Sequence, residues 1–146
     1  MPLTPIINYV VAQLLTLPGI GLVHDHVTFI NDDRGFLDKF TILGVVNVVE
    51  VTRRATPAAA RANGGETRLH DIVMHVYYGL QESSDSELAH RTLVEEIYTL
   101  FEGNHRLGGN AQKTTPVSVE ISGEIDKAGK LLHYAACVLT VTEDIR

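Results

Sequence analysis

The stretch from residue 68 to residue 145 most limits what this chain can fold into. An alternating run, RLHDIVMHVYYGLQ, leads into a helical segment, SSDSELAHRTLVEEIYTLFEGN. The loop HRLGGNA follows, and then two long strand-like runs, TTPVSVEISGEID and GKLLHYAACVLTVTED. Alternation at period two sends successive side chains to opposite faces of a sheet. In the first run Ile72, Met74, Val76 and Tyr78 share one face, and Asp71, Val73, His75 and Tyr77 the other. Val117, Val119, Ile121 and Ile125 alternate with Ser118, Glu120, Ser122 and Glu124, one face in and one wet. The last run differs, because Leu131, Ala135, Leu139 and Val141 oppose an equally apolar Tyr134, Ala136 and Val138. Both of its faces call for cover. DKAG, residues 126–129, is the turn expected to join these two runs into a hairpin.

Helix signals are equally local. Thr4 and Pro5 offer a capping oxygen and a proline where no amide partner is needed. Ile6, Ile7, Val10, Val11, Leu14 and Leu15 then form an apolar stripe that Pro18 and Gly19 end. Ser84 and Glu87 have the spacing of a capping box, Ala89, Leu93, Ile97, Leu100 and Phe101 make the second stripe, and Gly103 is the expected C-cap. GLVHDHVTFI reads as a strand, NDDRG as a turn, and Phe36, Leu37, Phe40 and Leu43 suit a short helix ended by Gly44. VVNVVEVTRR reads as a strand with Val49 and Val51 on one face and Glu50, Thr52 and Arg54 on the other. Residues 55–67, ATPAAARANGGET, lack periodicity and read as a flexible hairpin loop. Together these elements predict a single domain spanning residues 1–146. Its class is α+β: a mostly antiparallel sheet of about four to five strands with two main helices packed on one face.

Charge and composition narrow the functional classes. A net charge of −6 and a pI near 5.6 argue against a nucleic-acid binder held by phosphate contacts. The apolar stretch near the N-terminus is too short to span a bilayer and has no basic region before it, so neither a membrane anchor nor a secretory signal is expected. The single cysteine, Cys137, fits a chain that folds in a reducing compartment.

Candidate chemistry is sparse. His24 and His26 fall on one strand face, as a ligand pair could, with Asp25 pointing away, but no second pair at zinc-like spacing follows, so no metal is expected. Cys137 lies mid-strand between Ala136 and Val138, where a buried inert thiol is the usual occupant, and His133 is roughly 13 Å along the strand. RLGGNA follows a helix instead of opening one and lacks the residues of a phosphate loop. No cofactor fingerprint or acid–base pair is present, so the chain reads as a non-enzyme.

What remains is surplus interface. The loop at 55–67, flanked by Arg53, Arg54, Arg61 and Arg68, reads as a basic arm on an acidic body, an arrangement suited to head-to-tail self-association. The MHVYYGL segment adds Tyr77 and Tyr78 to the residues expected at a subunit or tube contact.

The order of LPGIGLVHDHVTF, VVNVVEVTRR, HDIVMHVYYGLQESSDSE, LVEEIYTLFEGNHRLGGNA and LLHYAACVLTVTED resembles the tail terminator (tail-completion) proteins of long-tailed bacteriophages. The shared pattern is a Pro-Gly turn after the first helix, an E-x-T-R strand before a variable loop, a Y-Y-G-L strand end and a final H-Y-A strand, and it covers nearly the whole chain. Sequences of this kind often carry a tryptophan before the E-x-T-R strand; here there is none, and Val48 or Val49 holds that place. The resemblance implies a virion structural protein assembled in the host cytoplasm. It implies a homo-hexameric ring that caps the tail tube protein at the neck-proximal end, stops tube polymerisation and meets the head–tail connector. DNA would pass through it without specific binding and no cofactor or membrane would be involved. Six copies at −6 each would carry −36, repelling the DNA that slides through. Asp32, Asp33, Glu120 and Glu124 are the acids expected to face that channel. A related neck or head-completion ring protein and a small dimeric adaptor module are the alternatives.

Overall fold

The alternating runs become the central strands of the computed structural model, which describes residues 3–26, 41–42, 45–54, 58–60, 66–79, 84–102, 107, 113–114, 117–127 and 130–145. In chain order the elements are α1 (Leu3–Leu14), β1 (Leu22–His24), β2 (Thr41–Ile42), β3 (Val45–Arg54), β4 (Ala58–Ala60), β5 (Glu66–Gly79), α2 (Ser84–Phe101), β6 (Lys113–Thr114), β7 (Ser118–Lys127) and β8 (Lys130–Ile145). The path across the sheet runs β1–β3–β5–β8–β6, with β2 beside β3, β4 beside β5 and β7 beside β8. Every pairing is antiparallel except β1 with β3, whose registers Leu22↔Val48 and His24↔Glu50 run parallel. The class is α+β, as the sequence predicts.

Registers decide which side chains meet. Val49↔Val76 and Val51↔Met74 join β3 to β5, and Met74↔Cys137 and Val76↔Ala135 join β5 to β8. These residues share one face and are fully buried. The stripes of both helices, Ile6, Val10 and Leu14 from α1 and Leu93, Ile97 and Phe101 from α2, enter the same buried cluster. Burial of each such side chain contributes about 1.5–3 kcal/mol. The opposite face forms a second cluster from Val48, Val73, Tyr77, Leu132, Tyr134, Ala136 and Val138. β8 therefore carries an unbroken buried run from Leu132 to Leu139.

Close approach explains Gly21, two residues past the Pro18-Gly19 turn. A Cβ on Gly21 would collide with the carbonyl oxygen of Asn47, so only glycine lets β1 lie against β3 here. The Asn47 Nδ2 amide donates to the Gly19 carbonyl at 3.1 Å, tying the turn to the sheet.

Four expectations need correction. Thr41 and Ile42, in the ambiguous stretch whose apolar spacing suits a short helix, form β2 and pair with Val46 and Val45, because a hairpin partner lies directly after them. Residues 58–60 of the expected loop form β4, pairing with Arg68, Thr67 and Glu66; ladder bonds need only backbone, so an alanine run can make them. β7 does not keep one face inward. A bulge between Val119 and Ile121 flips its parity, so Val117 enters the first cluster while Ile125 packs on the second, and Val119 is 42% exposed. Leu15 and Leu131, expected on buried faces, are 56% and 54% exposed because α1 ends at Leu14 and β8 begins beside Leu131. The NDDRG turn, the helix cap at Gly103, and residues 128–129 of the DKAG turn lie outside the described residues. Of HRLGGNA only Leu107 is described; it is fully buried in the first cluster at φ 46°.

Met74→Ala should therefore cost about 2–5 kcal/mol of stability in urea unfolding, whereas Leu131→Ala should stay within about 0.5 kcal/mol of the parent. Equal effects would mean that the sheet is not packed in this register.

Candidate functional site

The second sheet face carries a polar ladder among its apolar residues. Glu50 is 1% exposed, an unusual place for a carboxyl group unless it is hydrogen-bonded. The register sets Glu50 opposite His75 and Val48 opposite Tyr77, which brings the Tyr77 hydroxyl to donate to Glu50. Burial first, then the neighbouring Glu50, raises the Tyr77 phenol well above its ordinary value. Tyr134, opposite Tyr77 on β8, is likewise raised, mainly by burial. Its hydroxyl lies 2.6 Å from His75 Nδ1, and His75 Nε2 lies 3.1 Å from Thr52 Oγ1. The Tyr77 and Tyr134 rings sit 5.1 Å apart. These bonds fix which residues face each other across the three strands.

At the far end of the same face an ion network joins three strands. Arg54 donates to Asp71 Oδ2 through Nη2 at 2.8 Å and Nε at 3.1 Å, and reaches both Glu120 oxygens at 2.7 and 3.0 Å. The Thr140 hydroxyl donates to Asp71 Oδ1 at 2.7 Å. Burial alone would raise the Asp71 carboxyl, but the Thr140 hydrogen bond and Arg54 outweigh it and hold the group below its ordinary value. Arg54 does the same to Glu120, against a smaller opposing effect of burial.

The residues expected at an interface are placed unevenly by this geometry. Arg53 and Arg54 are exposed where β3 ends, with Arg53 Nε donating to His70 Nδ1 at 3.2 Å. Arg61 lies outside the described residues, and of Arg68 only the backbone is described, within β5. Tyr77 is 5% exposed and used inside the chain, while Tyr78 is half-buried on the helix-bearing face. Among the expected channel acids, Asp32 and Asp33 lie outside the described residues. Glu120 and Glu124 are both exposed on β7, but Glu120 is paired with Arg54, which Asp71 shares.

Two other candidates resolve clearly. Cys137 is fully buried, and burial pushes its thiol up to about 12, which leaves almost no thiolate at neutral pH. Asp25, expected to point away from its neighbours, instead bonds His26 Nδ1 at 2.7 Å, because β1 ends at His24 and the alternation stops there. That hydrogen bond is the main reason the exposed Asp25 carboxyl lies below its ordinary value. The His24 and His26 rings are 5.9 Å apart. Among the described residues no three histidine, cysteine or acidic side chains converge as a metal site requires, and no helix is long and apolar enough to cross a membrane.

One cluster was not anticipated from the sequence. Ser86 and His90 on α2 and His133 on β8 are all under 10% exposed. Ser86 Oγ lies 3.0 Å from His133 Nε2, and the His90 and His133 rings stack at 5.5 Å. The signal was available: Ser86 and His90 precede Leu93 and Ile97 at helical spacing, on the same buried stripe.

Compared with known proteins, the sequence matches no family model and no curated protein.

The ion network generates a pH prediction. A folded carboxyl held below its ordinary value of 3.8 contributes stability above that value and loses it as pH falls through the folded value. Asp71→Asn should lower stability at pH 7 by about 1–3 kcal/mol, with the gap to the parent narrowing in urea titrations at pH 3. A gap unchanged between the two pH values would contradict a charged Asp71 in this network.

Proposed function

We propose that this chain is a virion structural protein that caps the tail tube of a long-tailed bacteriophage as a homo-oligomeric ring. The observation that carries the proposal is the order of motifs along the whole chain, which the element order follows. α1 ends in the Pro-Gly turn, the E-x-T-R residues Glu50 to Arg53 close β3, the Y-Y-G-L aromatics end β5, and the H-Y-A residues His133 to Ala135 sit in β8.

The chemistry of the described side chains supports a structural role over a catalytic one. The one thiol is buried and protonated, and the polar ladder of Glu50, Tyr77, Tyr134 and His75 is spent on contacts within the sheet. The β4–β5 hairpin continues the sheet past exposed Arg53, which makes it the natural arm for contact with an acidic neighbouring subunit. A ring of such subunits would stop tube polymerisation and present its other side to the neck. A neck or head-completion ring protein would share this architecture and differ only in the partner it binds.

The test is native mass by light scattering across a dilution series, alone and with the tube protein of the same virion. The proposal predicts a species of about six 16.0 kDa chains, formed alone or on the tube ends, and tubes that cease to lengthen. A two-fold dimer at every concentration, with tubes that keep growing in its presence, would contradict it and favour an adaptor.

A further inference from the structure

The stacked imidazoles of His90 and His133 lie where the first half of α2 meets β8, and no part of the proposed capping role uses them. They line a cavity of about 120 Å³ whose walls also include Glu87, Arg91 and Val94 from α2 and Gly123 and Glu124 from β7. His90 is 6% exposed. Its ring donates to the Val76 backbone carbonyl of β5, and its Nε2 is buried without a hydrogen-bond partner. His133 is paired through Nε2 with Ser86.

We propose that this histidine pair is an acid-sensitive latch, holding the first half of α2 against β8 while His90 is neutral and loosening it when His90 takes up a proton. The geometry gives the reason. A proton on His90 Nε2 would create a buried cationic donor with no acceptor, in a ring stacked 5.5 Å from that of His133. Burial, and then His133, already hold the His90 imidazolium below its ordinary value of 6.5, against the opposing pull of the Val76 carbonyl.

The surrounding charges leave that balance in place. Arg91 adds repulsion from α2, but it is exposed and bonded to Glu87 at 3.0 Å. Glu87 is therefore already paired, and Glu124, beside His133 in the β7–β8 register, is exposed to screening solvent. On the β5 side the register partner of His133 is Tyr78. The sign follows. The unfolded or detached state binds more protons below 6.5, so docking of α2 weakens as pH falls through that value, and weakening stops below the folded value.

The experiment is imidazole NMR titration of the whole protein, together with hydrogen exchange of residues 86–93 between pH 8 and 5. The latch predicts that His90 titrates below 6.5 and that the opening equilibrium of this helical half, corrected for intrinsic exchange, rises by up to about tenfold per pH unit. In His90→Gln the opening equilibrium should be flat across the same range. A His90 that titrates at or above 6.5, or an opening equilibrium that does not change with pH in the parent, would overturn the proposal. If His90→Gln does not fold, these two parent measurements decide it alone.

Discussion

A strand that is paired on both edges and buried on both faces has no surface left with which to absorb a shift in register. β8 is such a strand. It runs antiparallel to β5 along fourteen registered pairs, from Glu66↔Ile145 to Gly79↔Leu132, and its other edge is taken by β7 and β6. A slip of one residue would exchange its two faces. Cys137 and Leu139 would move to the side of Tyr77 and Val73, and Tyr134 would be driven toward the helices. β5 transmits the same constraint to β3, and β3 to the Pro-Gly turn through Asn47.

Polar groups on the second face act as register marks. Hydrophobic contact is tolerant of small changes in partner, whereas a buried hydrogen bond is lost outright when its partner moves. Tyr77 to Glu50, Tyr134 to His75 and Asp71 to Thr140 each cross between strands. Arg54 adds β7 to the same set through Glu120. Polar marks of pairing are therefore concentrated on the face away from the helices, while Arg53 to His70 crosses between β3 and β5 on the face toward them.

Much of this was legible in the chain. Period-two runs long enough to bury both faces identified β3, β5 and β8 with the correct residues on each face, and the stripes Ile6, Val10, Leu14 and Leu93, Ile97, Phe101 identified both helices. Other features were hidden for physical reasons. β4 is built from alanines, whose side chains carry no strand signal, while its stabilising bonds are backbone. The β7 bulge reverses inside and outside without any change in residue type. The Glu120–Arg54 pair spans 66 positions and belongs to tertiary structure alone. Ser86 and His90 read as ordinary polar helix residues until the sheet beneath them supplies His133 and the Val76 carbonyl. The candidate contact residues were drawn from exposed-looking charges and aromatics, and burial reassigns Tyr77 to the interior.

Native-state hydrogen exchange along β8 tests the central place of this strand most directly. The account predicts that amides within 132–139 exchange only through global unfolding, at the same free energy as those of the paired stretch of β5. Exchange of this stretch at distinctly lower free energy than β5 would mean that β8 can leave the sheet while the rest stays folded, and the account would fail.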